Sequence, residues 1–265
     1  MTDFELDLAA LTDVGTARDH NEDACGAWPE TPACAVLVVA DGVSSNEGGE
    51  AASEMAVEVT LRAFREEPAS MAPGQRLYRA VQQANIEIYD RAMVVPELRG
   101  MATTLTAAAV DRGELTAVHV GDSRLYLVRG TAVTQLTKDH TVAAERVRMG
   151  LLSAERARTH PERSTLTRSV GRELIVSRDR ITRSLEQGDV LVLCSDGLHN
   201  VLSDEEIGAM VRDRGAAEAC RGLVGAANER GTPDNVTAAV VRLVGPLAPR
   251  PERPGLVSRL RRWIA

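Results

Sequence analysis

The chain has 265 residues, 44% of them hydrophobic, and a formal charge of −7. That is enough apolar material for one large domain or two small ones, and the negative balance argues against nonspecific attraction to nucleic acid. Aromatics make up only 3%, which excludes base-stacking platforms, and no apolar run approaches the roughly 18 residues a membrane helix needs.

Residues 4–12 alternate loosely and predict a strand entering a loop at 15–23. Residues 35–40 are continuously apolar, as a buried strand requires. Helical spacing follows at 50–64 (Met55, Val59, Ala63), with Pro68 beyond its end. A second helix is predicted at 76–93, with Leu77, Val81, Ala84, Ile88 and Met93 near one face. Strands are predicted at 103–110, 115–120 and 125–128, separated by Asp111-Arg112-Gly113 and Gly121-Asp122-Ser123-Arg124, with a turn at Arg129-Gly130. Residues 139–172 are polar and arginine-rich, with a short helix at 142–149 and an exposed loop beyond it. A strand at 190–194 precedes the capping box Ser203-Asp204-Glu205-Glu206, which opens a helix. A helix at 216–228 and a closing strand at 236–244 complete the pattern.

Strand pairs joined by tight turns imply antiparallel sheets, and the helices cluster rather than alternate with strands. The expectation is an α+β domain over residues 1–245. Residues 246–255 are rich in proline and arginine and read as a linker. Residues 256–264 are short, basic and amphipathic, too short to anchor firmly in a membrane. The acidic N-terminus has no basic segment followed by an apolar run, so no signal peptide is expected. Cys25, Cys34, Cys194 and Cys220 form no CxxC pair and read as reduced thiols of a cytoplasmic protein.

Acidic residues stand at five turn or strand-end positions: Glu22/Asp23, Asp41, Asp122, Asp196 and Asp234. Any one alone would read as a turn cap. Four of the five lie against apolar segments, where an unpaired carboxylate is costly. Val39-Ala40-Asp41-Gly42 and Cys194-Ser195-Asp196-Gly197 each end an apolar run in a rigidly held carboxylate, and the following glycine permits close backbone approach. Carboxylates that converge need a cation, and oxygen-only ligation favours Mg²⁺ or Mn²⁺ over zinc. The five histidines show no HxxxH spacing.

Several chemistries are excluded. A cysteine-based phosphatase needs arginine six residues after its nucleophile, and those positions hold Thr31, Ala40, Asn200 and Ala226. There is no GxSxG elbow, and the only lysine, Lys138, follows Thr137 rather than a Walker glycine.

Read together, the motifs resemble the metal-dependent type 2C (PPM) serine/threonine protein phosphatases, bacterial type. The segments are Arg18-Asp19-His20-Asn21-Glu22-Asp23, Asp41-Gly42 with Gly48-Gly49-Glu50, Ala102-Thr103-Thr104-Leu105 and Gly121-Asp122-Ser123-Arg124. They continue with Leu136-Thr137-Lys138-Asp139-His140, Leu166-Thr167-Arg168-Ser169-Val170-Gly171, Ser195-Asp196-Gly197-Leu198 and Asp234-Asn235-Val236-Thr237. Their number and order carry the resemblance, which spans about residues 4 to 243.

The resemblance implies an antiparallel β-sandwich flanked by helices on both sides, a four-layer α-β-β-α arrangement, with a binuclear Mn²⁺ or Mg²⁺ centre at one end. Asp41 would bridge the two ions, Gly42 would give its carbonyl, and Asp196 and Asp234 would complete the first. Glu22 and Asp23 would hold the second ion or its waters. Asp122, with Asp196, matches a weaker third site. Arg18 would grip the substrate phosphate, for which a planar fork is suited. The implied reaction is in-line attack by an activated water on phosphoserine or phosphothreonine, with no phosphoenzyme. The resemblance further implies a monomer acting on the substrates of a Ser/Thr kinase.

The chain departs from the family at Val43-Ser44-Ser45-Asn46-Glu47, where relatives usually carry Met-Gly-Gly. Val43 cannot serve as an acid where some members place histidine, and His20 is the nearest titratable alternative. The alternatives are a catalytically weak regulatory relative, against which the full set of carboxylates argues, and a phosphatase for a phosphoserine partner-switching protein.

Overall fold

The computed structural model describes residues 4–43 and 48–246. Two five-stranded sheets, antiparallel throughout, are built from ten strands. The first has the order β1 (Phe4–Asp13), β10 (Val236–Pro246), β9 (Val190–Cys194), β6 (Arg124–Arg129), β7 (Ala132–Gln135). The second has the order β2 (Asp23–Thr31), β3 (Cys34–Asp41), β4 (Leu105–Asp111), β5 (Glu114–Val120), β8 (Asp179–Ser184). Strand alternation explains the layering. Leu37 and Val39 of β3 face the other sheet and pack with Leu191, Leu193 and Val241. Val36, Val38 and Ala40 point the opposite way, onto Phe64 of α1 (Gly48–Glu66) and Leu77, Val81 and Ile88 of α2 (Pro73–Val94).

The first sheet repeats the scheme. Val190, Val192 and Cys194 pack against Ile207 of α6 (Asp204–Val211) and Leu223 of α7 (Ala216–Glu229). Central strands covered on both faces must be apolar at every position, which is why β3 and β9 lack alternation in sequence. The α+β expectation and its four-layer form are met. Among the described residues no helix is long and apolar enough to cross a membrane.

The capping box forms as expected: Ser203 N donates to Glu206 Oε2 at 2.9 Å, and Glu206 N donates to Ser203 Oγ at 3.3 Å. Three strands were not expected. β2 is half-exposed and interrupted by Gly26 and Pro29; β7 has four residues; β8, Asp-Arg-Ile-Thr-Arg-Ser, is a charged and mostly exposed edge. The strand expected from 103 begins at Leu105, because Thr103 and Thr104 bond to neighbouring loops instead. Residues 139–172 carry α3 (Val142–Arg148) and also the short α4 (Ala154–Ala157). Residues 44–47 of the departing loop and the tail beyond residue 246 lie outside the described residues.

Candidate active site: a carboxylate cleft where both sheets end

Antiparallel register brings the ends of β1, β3, β5 and β9 and the starts of β2, β4, β6 and β10 to one end of the sandwich. Asp41 is the last residue of β3. Its N–H donates to Thr104 Oγ1 at 2.9 Å, and its carbonyl accepts from Thr103 Oγ1 at 2.9 Å and Thr104 N at 2.8 Å. The Thr-Thr pair thus fixes the backbone that carries the carboxylate. Gly42 N donates to Glu22 O at 2.9 Å, and a Cβ at Gly42 would lie 2.3 Å from Gly49 O and 2.8 Å from Glu22 O. Only glycine lets these three segments meet.

Asp196 opens α5 (Asp196–His199), a short helix rather than a plain turn after the strand. Its Oδ2 accepts from Asn200 Nδ2 at 3.1 Å. Asp234 precedes β10 and accepts from Arg18 Nη2 at 2.9 Å; Arg18 Nε donates to Pro233 O at 3.3 Å. Asn235 holds the 14–22 loop in place. Its Oδ1 accepts from Glu22 N at 2.9 Å, and its Nδ2 donates to Val14 O at 2.8 Å and His20 O at 2.9 Å. Asp122 sits in the β5–β6 turn, whose carbonyl lies 3.1 Å from His199 Nε2.

Arg18, Glu22, Asp41, Gly42, Asp122, Asp196 and Asp234 all line one cleft of about 410 Å³. Asp23 does not line it. Its carboxylate is buried behind the cleft, where Oδ2 accepts from Ser195 Oγ at 2.6 Å and Thr237 Oγ1 at 2.7 Å. It ties the start of β2 to Ser195, next to Asp196, and to Thr237 of β10, which follows Asp234. The His20 side chain is exposed and is not part of the lining.

The cleft is electrostatically short of positive charge. Burial first, then the charges of Asp23, Asp196, Asp122 and Asp234, push Asp41 well above the usual carboxylate range. Burial and then Asp196 do the same to Asp122. Burial raises Asp196 to about 6, with Asp234 adding to it, and raises Asp23 to about 7 against its two hydroxyl donors. Glu22 is raised by burial, with Arg18 opposing. Like carboxylates this close hold protons unless a cation replaces them.

Among the described residues no three His, Cys, Asp or Glu side chains already close into a metal cage. A divalent ion that keeps several waters needs no such cage, and mutually repelling carboxylates stand apart without one. The donor set is all oxygen, carboxylate with one glycine carbonyl at hand, and it fits Mg²⁺ or Mn²⁺.

Val43 and the motif residues Ala102, Leu166, Ser169 and Asn235 also line it, together with four that the sequence did not single out: Arg99, Gly100, Ser164 and Arg172. In so arginine-rich a chain nothing in the pattern marks Arg99 or Arg172. The arginine of Gly-Asp-Ser-Arg, Arg124, is not in the lining; it pairs with Asp139 at 2.7 Å.

A model of the protein phosphatase 2C family matches residues 16–237. The serine/threonine phosphatase stp of Listeria innocua is 35% identical over 234 residues, covering 87% of this chain and 93% of that protein. The crystal structure of the Mycobacterium tuberculosis serine/threonine phosphatase PstP/Ppp superposes with a TM-score of 0.82 at 35% identity, covering 91% of this chain and 100% of that one. A structure of the PstP catalytic domain in complex with two manganese ions superposes with a TM-score of 0.81 at 34% identity, over 91% and 100% of the two chains. The carboxylate cleft, the four-layer sandwich and these likenesses agree: the chain belongs to the protein phosphatase 2C family and is a serine/threonine phosphatase of the bacterial type, a hydrolase acting on phosphoproteins.

Proposed function

We propose that the cleft holds two divalent ions, Mn²⁺ or Mg²⁺, with a weaker third beside Asp122, and that it hydrolyses phosphoserine and phosphothreonine on proteins. Asp41, Asp196 and Asp234 would hold the ions with the Gly42 carbonyl, and Glu22 would hold their waters. Asp23 serves from behind, its charge acting on Asp41 and its Oδ2 fixing Ser195 and Thr237. When bound, such ions acidify water at neutral pH and offset charge on the phosphoryl oxygens.

Arg18 binds the phosphate. Its side chain is 46% exposed and spends Nε on Pro233 and Nη2 on Asp234, which leaves Nη1 for a phosphoryl oxygen. The Thr103–Thr104 pair and Asn235 hold the cleft segments in register, so the reacting groups need little rearrangement. The observation that carries this function is the single cleft onto which Glu22, Asp41, Asp122, Asp196 and Asp234 converge with Gly42 and Arg18, a crowding that also raises Asp41.

The same reading makes residues 1–245 the catalytic unit and the enzyme a monomer in the cytoplasm, acting opposite a Ser/Thr kinase. Four unpaired cysteines, all with thiols raised by burial, support a reducing compartment. The test is hydrolysis of a phosphothreonine peptide after chelation and after Mn²⁺ is restored. Activity that disappears and returns is expected. No turnover in either condition, with Mn²⁺ binding seen by calorimetry, would overturn the enzymatic assignment in favour of a regulatory module.

A further inference from the structure

Arg99 and Arg172 stand in the cleft lining but do no work for the carboxylates. Both side chains are exposed, and among the described residues neither has a hydrogen bond or an ion pair. Three other arginines are committed: Arg18 to Asp234 at 2.9 Å, Arg124 to Asp139 at 2.7 Å, Arg168 to Asp179 at 3.0 Å.

Their backbones are held firmly. Thr103 and Val170 pair in an antiparallel bridge, with N–H to carbonyl distances of 3.1 and 2.8 Å. That bridge ties the segment just before Arg172 to the segment just after Arg99. Gly171, at φ +90°, lies so close that a Cβ there would meet Met101 O at 3.2 Å and Ile88 Cγ2 at 2.3 Å. Asn85, fully buried on α2, spends its whole amide on the residues flanking Arg172. Its Oδ1 accepts from Gly171 N at 2.9 Å, and its Nδ2 donates to Glu173 O at 2.9 Å and Leu174 O at 3.0 Å. Arg99 follows a short 3-10 turn, Pro96–Leu98, and its N–H donates to Pro96 O at 3.2 Å.

We propose that Arg99 and Arg172 form a second anion subsite on the cleft wall, which selects phosphoprotein segments carrying another negative group beside the phosphoresidue. The subsite presupposes the phosphatase activity of the cleft. The scissile phosphate belongs with Arg18 and the carboxylate floor. Two unpaired guanidinium groups on the wall then face whatever flanks it. Their forks suit an acidic side chain or a second phosphoryl group, whereas a neutral flank gives them nothing to bind.

Three phosphothreonine peptides test this: one with neutral flanks, one with glutamates on either side, one with a second phosphothreonine. kcat/KM is measured with Mn²⁺ for wild type, Arg99→Ala, Arg172→Ala and the double variant, each first shown to melt as wild type does. Wild type should prefer the anionic peptides about tenfold, and the double variant should bring that ratio to within about twofold, chiefly through KM. The single variants should fall between. The peptide whose advantage collapses further identifies the anion as carboxylate or phosphate. A wild type without preference, or a double variant that loses equally on all three peptides, overturns the subsite. If wild type turns over no peptide, the phosphatase assignment fails and the subsite is read by fluorescence anisotropy. Weaker binding of the anionic peptides to the double variant supports it, and equal binding overturns it.

Discussion

Asp41 combines an immobile backbone with a carboxylate crowded by others of the same sign. Function and stability therefore pull against each other at this residue. Asp41→Asn removes the charge needed for cations and should lower turnover about a hundredfold or more. The same change relieves a buried, repelled carboxylate, so the metal-free variant should melt at or above the wild-type temperature. Asp196→Asn should behave alike; near wild-type, Mn²⁺-dependent turnover in either variant would dismantle the site assignment. The buried histidines set a different dependence. Burial holds His119 at about 4 and His199 at about 3, so both stay neutral when folded. The unfolded chain protonates its histidines below pH 6.5, so stability falls as pH drops from there towards 4, by roughly 1.4 kcal/mol per pH unit for each group. Asp23 and Asp196 act oppositely: their raised values add stability at low pH that is lost as pH rises through about 7 and about 6. The difference between wild type and His119→Gln isolates the histidine term. Unfolding free energies from urea titrations between pH 6.5 and 5 should show a slope shallower by about 1 kcal/mol per pH unit in the variant.

Short elements, rather than long ones, aim the functional groups. α5 is four residues long, yet it presents Asp196, and Thr232 Oγ1 donates to its Gly197 carbonyl at 2.8 Å. A Cβ at Gly197 would stand 2.0 Å from Asn235 O, a backbone atom that cannot move without dragging Asp234 and the 14–22 loop. Gly197→Ala should therefore cost about 2–4 kcal/mol and raise the Mn²⁺ needed for half-maximal activity about tenfold. A thermal melt and a metal titration of activity read the two effects, and a variant matching wild type in both would show that the contact has slack. Helices with regular apolar spacing, such as α1 and α2, were legible before folding. Edge strand β8 and the interrupted β2 were not, because an exposed or irregular strand carries no periodic signature.

The whole molecule places one cleft at the shared end of two sheets, with a separate core on each outer face and a third between them. Since none of these cores passes through the cleft, chelation should leave the far-ultraviolet circular dichroism unchanged while Mn²⁺ raises the melting temperature. Unfolding on chelation would mean that the ions belong to the core. All the expected cleft residues fall between Arg18 and Asp234. Deleting residues 247–265 should accordingly leave peptide turnover within about twofold. A large loss would give the tail a part in catalysis.

The sequence alone determined the α+β class, the family and the acidic residues of the cleft. Those features reside in local patterns: apolar runs that end in Asp-Gly, tight turns, and motifs in a given order. The tertiary structure alone decided which of them share a surface. Glu22, Asp41, Asp122, Asp196 and Asp234 face the cleft, whereas Asp23, adjacent in sequence to Glu22, points into the interior between Ser195 and Thr237. Successive strand residues face opposite ways, and no local pattern records which face holds the site. The parts played by Asn235, Asn85, Arg99 and Arg172 were likewise hidden. Each depends on segments tens to hundreds of residues apart, brought together only when the two sheets pack.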